Sequence, residues 1–192
     1  MKIQKKIRKT LRYSILSGSF LSIMRAFSES IITAFAVFLK ATNLQLSLLT
    51  SLPIFIGSCI QIFSHNILYL FKSRKRLVLV LSFVQGLVWF IIALLLLFIG
   101  KFSPFVLIFL YSLYWISGLV MTPAWSSWLS SIVHSEKKGT YFGKRMYVLS
   151  TLSLFSMLAA GSLLYYFTSI NLELYAFVFS FAIAFFTSIT SF

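Results

Sequence analysis

The chain has 192 residues, is 59% hydrophobic, and carries 17 basic against 3 acidic side chains, for a formal charge of +14. With a mean hydropathy of +0.95 it has too little polar surface for a soluble globular domain, which points to an integral membrane protein. A single cysteine, no aspartate, three glutamates and two histidines exclude an intrachain disulfide, a cysteine-built zinc site, paired-carboxylate catalysis and an acidic metal cage.

A hydrocarbon core about 30 Å thick takes roughly 20 apolar helical residues to cross. Six stretches meet that length, at about 13–39, 46–71, 77–99, 105–129, 146–168 and 172–192, after a basic segment 1–12 holding Lys2, Lys5, Lys6, Arg8, Lys9 and Arg12. The pattern predicts an all-α membrane protein of six transmembrane helices. The longest piece between spans, 130–145, leaves no room for an extramembrane catalytic or DNA-reading domain.

The first span is too long for a signal-peptide core and contains Arg25 and Glu29, so it reads as a permanent helix. Ser14, Gly18, Ser22, Arg25, Glu29, Thr33 and Ala36 recur at steps of three and four, placing the small and polar residues on one stripe that faces protein or water. Each buried charge costs about 2.5–3.5 kcal/mol on insertion scales. The i, i+4 spacing of Arg25 and Glu29 lets them pair. Two readings follow: an ion pair that only holds the fold, or ligands for a solute or coupling ion. Glu29 is the only acid near the middle of any span, Glu173 standing at the start of the sixth, and it is a candidate proton carrier.

The second span carries a stripe of Gly57, Gln61 and His65, with Pro53 expected to kink it and Cys59 expected as a small core residue. His65 reads as an interfacial helix residue. Lys72, Arg74, Lys75 and Arg76 follow. In the third span Ser82, Gly86, Trp89 and Ala93 form a packing seam. The fourth holds Pro123 and ends with Trp125 and Trp128 on one face. Beyond it, Gly139 and Gly143 permit a turn among Lys137, Lys138, Lys144 and Arg145. The aliphatic third and phenylalanine-rich sixth spans are expected to face lipid more than the others. The other turns, 40–45, 100–104 and 169–171, are short, so consecutive helices are expected to pack as antiparallel neighbours.

Fourteen basic residues fall on one side of this arrangement, against Lys40 and Lys101 on the other. The positive-inside rule places both termini and both basic loops in the cytoplasm of a cell-membrane protein. Basic loops flanking spans account for the charge without nucleic acid. No phosphate-binding glycine loop is present, and His65 and His134 have no orienting acid other than Glu136, so neither ATP handling nor serine-hydrolase chemistry is expected of this chain, nor any cofactor.

The segment Pro123-Ala124-Trp125-Ser126-Ser127-Trp128, followed by Lys138-Gly139-Thr140-Tyr141-Phe142-Gly143-Lys144-Arg145, resembles the end of the fourth helix and the following loop in bacterial members of the major facilitator superfamily. Lys40-Ala41-Thr42-Asn43-Leu44-Gln45 and Leu48-Leu49-Thr50-Ser51-Leu52-Pro53 are similar to that family's first outward loop and second helix. The likeness runs from about residue 11 to 192. It implies an N-terminal six-helix half of a twelve-helix secondary transporter, built as a 3+3 inverted repeat, with its C-terminal half apparently absent. It implies alternating access around a midplane cavity, with Arg25, Glu29, Ser22, Thr33 and Gln61 as candidates for solute or ion coupling. His65, Arg74, Lys75, Arg76, Trp125, Trp128, Gly139, Gly143 and Arg145 would belong to the cytoplasmic gate.

The family's loop G-x-L-x-D-R-x-G-R-K is not kept here. His65 stands at its first glycine, Tyr69 at the acid, Leu70 at the arginine and Lys72 at the second glycine, leaving only the basic end Arg74-Lys75-Arg76. The partners implied are membrane lipid, an unknown small solute, a coupling ion (proton or sodium), and the other half or a second copy. Two alternatives stand beside this reading: a complete six-helix substrate-binding subunit of an energy-coupling-factor importer, and a non-transporting membrane scaffold or sensor.

Overall fold

The computed structural model describes the backbone of residues 2–134, 136 and 138–190, and the side chains among them from Lys9 onward. Every regular element among these residues is helical: α1 (Lys2–Glu29), α2 (Ile32–Phe38), α3 (Asn43–Gln61), α4 (Ser64–Phe71), α5 (Arg74–Ile99), α6 (Pro104–Ile132), α7 (Lys138–Ser169) and α8 (Glu173–Thr190). With α1 and α2 taken together, six helices are long and apolar enough to cross a membrane. The chain is a multi-pass, all-helical bundle. The N-terminus, the α4–α5 turn and the α6–α7 connection lie at one end, here the basic end.

The turns are set by local chemistry. Thr42 accepts a hydrogen bond from the Gln45 backbone N–H while the Gln45 side chain accepts from the Thr42 N–H, a reciprocal cap that fixes the start of α3. Ser103 caps α6, whose first residue is Pro104, where the missing N–H costs nothing. Lys40, Lys72 and Asn171 take left-handed conformations just beyond α2, α4 and α7, turning the chain back into the bundle.

Two spans are interrupted, and neither interruption is at a proline. The first span breaks at Ser30 and Ile31. Ser28 donates to the Met24 carbonyl at 2.7 Å, and Ser30 to that of Ala26. Both hydroxyls compete with the helix for i−4 acceptors and loosen that turn. The second span breaks at Ile62 and Phe63, so His65 belongs to α4, which buries none of its residues. The stripe Gly57–Gln61–His65 is therefore not continuous: Gly57 packs against α6, Gln61 is half-buried and His65 is exposed. Helices α3 and α6 run unbroken through Pro53 and Pro123.

The close helix pairs are α3 with α6, α5 with α6, α5 with α8, α1 with α7, α1 with α8 and, less extensively, α7 with α8. Most are not consecutive in sequence, contrary to the expectation from turn length. Small residues decide the pairing instead. A methyl group built on Gly57 would come within 2.7 Å of Leu119 Cδ1 and 3.4 Å of the α6 backbone at Ile116, and one on Gly86 would meet Ser188 of α8 at 2.9 Å. The core is aromatic. Phe35 lies 5.1 Å from both Phe177 and Phe181, and Trp89 stacks on Phe181 at 5.4 Å.

Helices α5 and α8 thus supply core residues (Trp89, Ile92, Leu96, Phe177, Phe181), while α3 and α7 are the most exposed of the membrane-length helices. The third and sixth spans, expected to face lipid more, bury a larger share of their residues than α3 and α7 do, because Ser82, Gly86, Ser180 and Ser188 let α5 and α8 approach closely. Cys59 is exposed: it lies two residues from Gly57, and a step of two is about 200° around a helix. Gly57→Leu should push α3 off α6 and lower stability by about 1–3 kcal/mol, the usual cost of overpacking. The unfolding midpoint in detergent, compared with that of an exposed-site control such as Ser58→Leu, checks it.

Candidate functional site

The break in the first span falls immediately after Glu29, on the stripe that carries Arg25. The Tyr114 hydroxyl, from α6, donates to Glu29 Oε1 at 2.6 Å, and Arg25 Nε lies 3.8 Å from the same oxygen. The carboxylate thus has one short, charge-assisted hydrogen bond and one looser ionic partner. Tyr114 is 2% exposed. Its ring is held edge-on against Trp89 at 5.0 Å and parallel to Tyr111 at 5.8 Å. Gln85 of α5 donates to the Tyr114 carbonyl at 3.3 Å. Arg25, by contrast, keeps about half of its side chain exposed (52%), and Glu29 is 30% exposed.

The backbones of α1 and α6 make little direct contact, and neither do those of α6 and α7. Long side chains bridge both seams. Glu29 and Tyr114 join α1 to α6. Arg145, from the second turn of α7, reaches over the Trp125 ring of α6 at 4.3 Å, and its Nη2 atom fills the space above Gly18 of α1. The hydroxyl of Tyr141, one turn earlier, donates to the Leu11 carbonyl at 3.2 Å and ties α7 to α1.

The sequence candidates therefore separate into groups. Arg25 and Glu29 come together, as their spacing predicts. Ser22 is buried one turn away, its hydroxyl occupied by the Gly18 carbonyl at 3.0 Å, while Thr33 is exposed beyond the break. Trp125 and Arg145 form a second cluster toward the basic end. Gln61 is half-buried on α3, and His65, Arg74, Lys75, Arg76 and Trp128 are exposed at or near the basic end. Gly139 and Gly143 make no turn. Both lie in the first turns of α7, exposed, with nothing within 4 Å of a would-be Cβ. Their i, i+4 spacing fits an exposed helical face, where glycine costs about 1 kcal/mol relative to alanine but clashes with nothing.

Sequence reasoning missed Tyr114, Tyr111 and Gln85, and placed Trp89 only in a packing seam. The signal was present: a phenol and an amide inside apolar spans need hydrogen-bond partners, and Tyr114 lies about as far from the non-basic end of its helix as Glu29 does from the end of α2.

No family model matches the chain, and neither does any curated protein or solved structure. Among the described residues, no three histidine, cysteine or acidic side chains gather as a metal site would require. An open depression of about 430 Å³ at the non-basic end, bordered by Val37, Phe38, Lys40, Lys101, Thr168 and Glu173, contains none of the candidates. The charged seams, not this depression, hold the unusual chemistry.

Tyr114→Phe and Glu29→Gln should each destabilise the bundle, and the double variant should lose less than the two single losses added together. A coupling of about 1 kcal/mol is expected, below the usual range for charged hydrogen bonds because Glu29 is partly exposed. A double-mutant cycle on thermal unfolding measures it, and a coupling of zero would show that the contact contributes nothing.

Proposed function

We propose that the chain is a six-helix bundle of a secondary transporter of the major facilitator type, carrying a small solute by alternating access. The observation that carries this reading is the broken first helix. An apolar span stops being regular just where its carboxylate meets a phenol on a neighbouring helix, with an arginine half open beside it. Interrupted helices and intramembrane charges cost free energy, and in membrane proteins they collect at solute and ion pathways.

The pairing of helices supports the same reading. Exchanging the first three spans for the last three converts α3–α6 into α7–α1 and α5–α6 into α8–α1, and leaves α5–α8 unchanged. The main pairings survive the exchange, as an internal two-fold repeat requires. Under this proposal α1 and α6 are equivalent central helices, and the face between α3 and α7 opens toward a second six-helix bundle, part of a longer transporter or another copy. The basic end is cytoplasmic by the positive-inside rule. Glu29 is the site for coupling to a proton or sodium, and Arg145 with Trp125 closes the cytoplasmic side.

The test is accessibility from both sides. Cys59 is first replaced by serine, and Arg25→Cys is then labelled with a membrane-impermeant maleimide in right-side-out and inverted vesicles. Alternating access predicts labelling in both orientations. Labelling from one side only, or none, would sink the proposal.

A further inference from the structure

We infer that the solute is a small anion whose carboxylate or phosphate group binds the Arg145 guanidinium. This deepens the transport reading and rests on it. Arg145 is 9% exposed, and among the described residues no carboxylate pairs with it. The chain has only three acids: Glu29 is taken by Arg25 and Tyr114, while Glu136 lies in the α6–α7 connection and Glu173 opens α8 at the other end. The Arg145 Nε–H is buried and has no hydrogen-bond acceptor.

The geometry selects an anion over other ligands. The guanidinium plate is covered by the Trp125 ring at 4.3 Å. A ring on the face restrains the plate while leaving the in-plane N–H donors, which suit a carboxylate or phosphate in bidentate fashion, unused by the contact. Gly18 is what admits the tip of the side chain, because a methyl there would stand 2.7 Å from Nη2.

Arg25 is seven positions beyond Gly18, which is two turns and about 10 Å along the same face of α1. Two guanidinium groups against the single carboxylate of Glu29 leave the α1 seam one positive charge in excess. An entering anion neutralises that excess, whereas a cation meets like charge at Arg145, which no carboxylate among the described residues accompanies. The buried Nε–H, the indole cover and the missing counter-ion are three separate features of one side chain, and an anion accounts for all of them.

The experiment uses the full chain in lipid nanodiscs at constant ionic strength. Binding of inorganic phosphate, acetate and succinate is measured by calorimetry and by tryptophan emission, with glucose as the neutral control. At least one anion should bind saturably and change the emission, and glucose should not. Arg145→Gln should weaken that binding at least tenfold. Arg145→Lys, which keeps the charge but loses the flat fork, should weaken it several-fold. Trp125→Phe should remove the emission change while calorimetric binding persists. If none of the three anions saturates, or if Arg145→Gln in a folded protein binds as the parent does, the inference is overturned. Should Arg145→Gln fail to fold, unchanged binding by Arg145→Lys overturns it instead. Anion binding without counterflow of that anion in proteoliposomes would keep the site and sink the transport reading. Two-sided labelling at position 25 without anion binding would do the reverse.

Discussion

A carboxylate inside an apolar bundle must find donors, and the centre of this protein is organised around how Glu29 finds them. One is Arg25, a turn away on the same helix. The other is the Tyr114 hydroxyl on α6, at the distance of a strong charge-assisted hydrogen bond. The second donor gives the interaction tertiary consequences. It fixes the register of α1 against α6 across a seam where the backbones make little contact, and it requires Tyr114 to be held by Trp89, Tyr111 and Gln85. The wall of α5 and α8 behind these residues is packed with aromatic rings.

The rest of the architecture follows from where small residues allow close approach. In lipid no hydrophobic force drives helix to helix, so van der Waals fit decides which pairs form. Gly57 seats α3 on α6, and Gly86 with Ser188 seats α5 on α8. Gly18 makes room on α1 for the guanidinium of Arg145 from α7. Helices α1 and α7 still pack closely, but at Gly18 they enclose a charged group, where Gly57 and Gly86 enclose none. That difference separates the aromatic wall from the charged seams.

How far the sequence reveals this depends on the range of the physics involved. The six long helices are legible because twenty apolar residues at helical spacing have few other fates, and the Arg25–Glu29 pair because i, i+4 spacing is a property of one helix. Turn residues such as Thr42 and Asn171 are local for the same reason. Helix order is not legible, since short turns limit which ends are near each other but not which faces fit. Tyr114 escapes notice because its partner lies 85 positions away, and Cys59 is misplaced because the face that α3 buries is set by Gly57 against Leu119. Prolines draw attention as sites of interruption, yet the breaks come at Ser28–Ile31, where hydroxyls compete for helix acceptors, and at Ile62 and Phe63. Gly139 and Gly143 invite a turn, but nothing local prevents glycine from continuing an exposed helix.

The two arginines of the seams illustrate two ways of keeping a guanidinium within an apolar span. Arg25 has a carboxylate and stays half exposed. Arg145 has neither: it is nearly enclosed, with an aromatic face in place of an acid. A cation–π contact supplies about 0.5–2 kcal/mol, less than the several kcal/mol that enclosing a charge costs after relaxation, so the indole alone does not offset the enclosure. Long polar side chains near a helix end ordinarily extend to water, and Arg145 lies only two turns from the start of α7. It turns inward instead, into the gap that Gly18 leaves on α1. A side chain with an outward route that is held inward by a glycine and an indole has its unmet hydrogen-bonding capacity concentrated in the seam, on the same face of α1 as Arg25 and Glu29. The polar stripe of the first span is therefore one surface with two ends: a neutralised pair toward the non-basic end and an uncompensated charge toward the basic end.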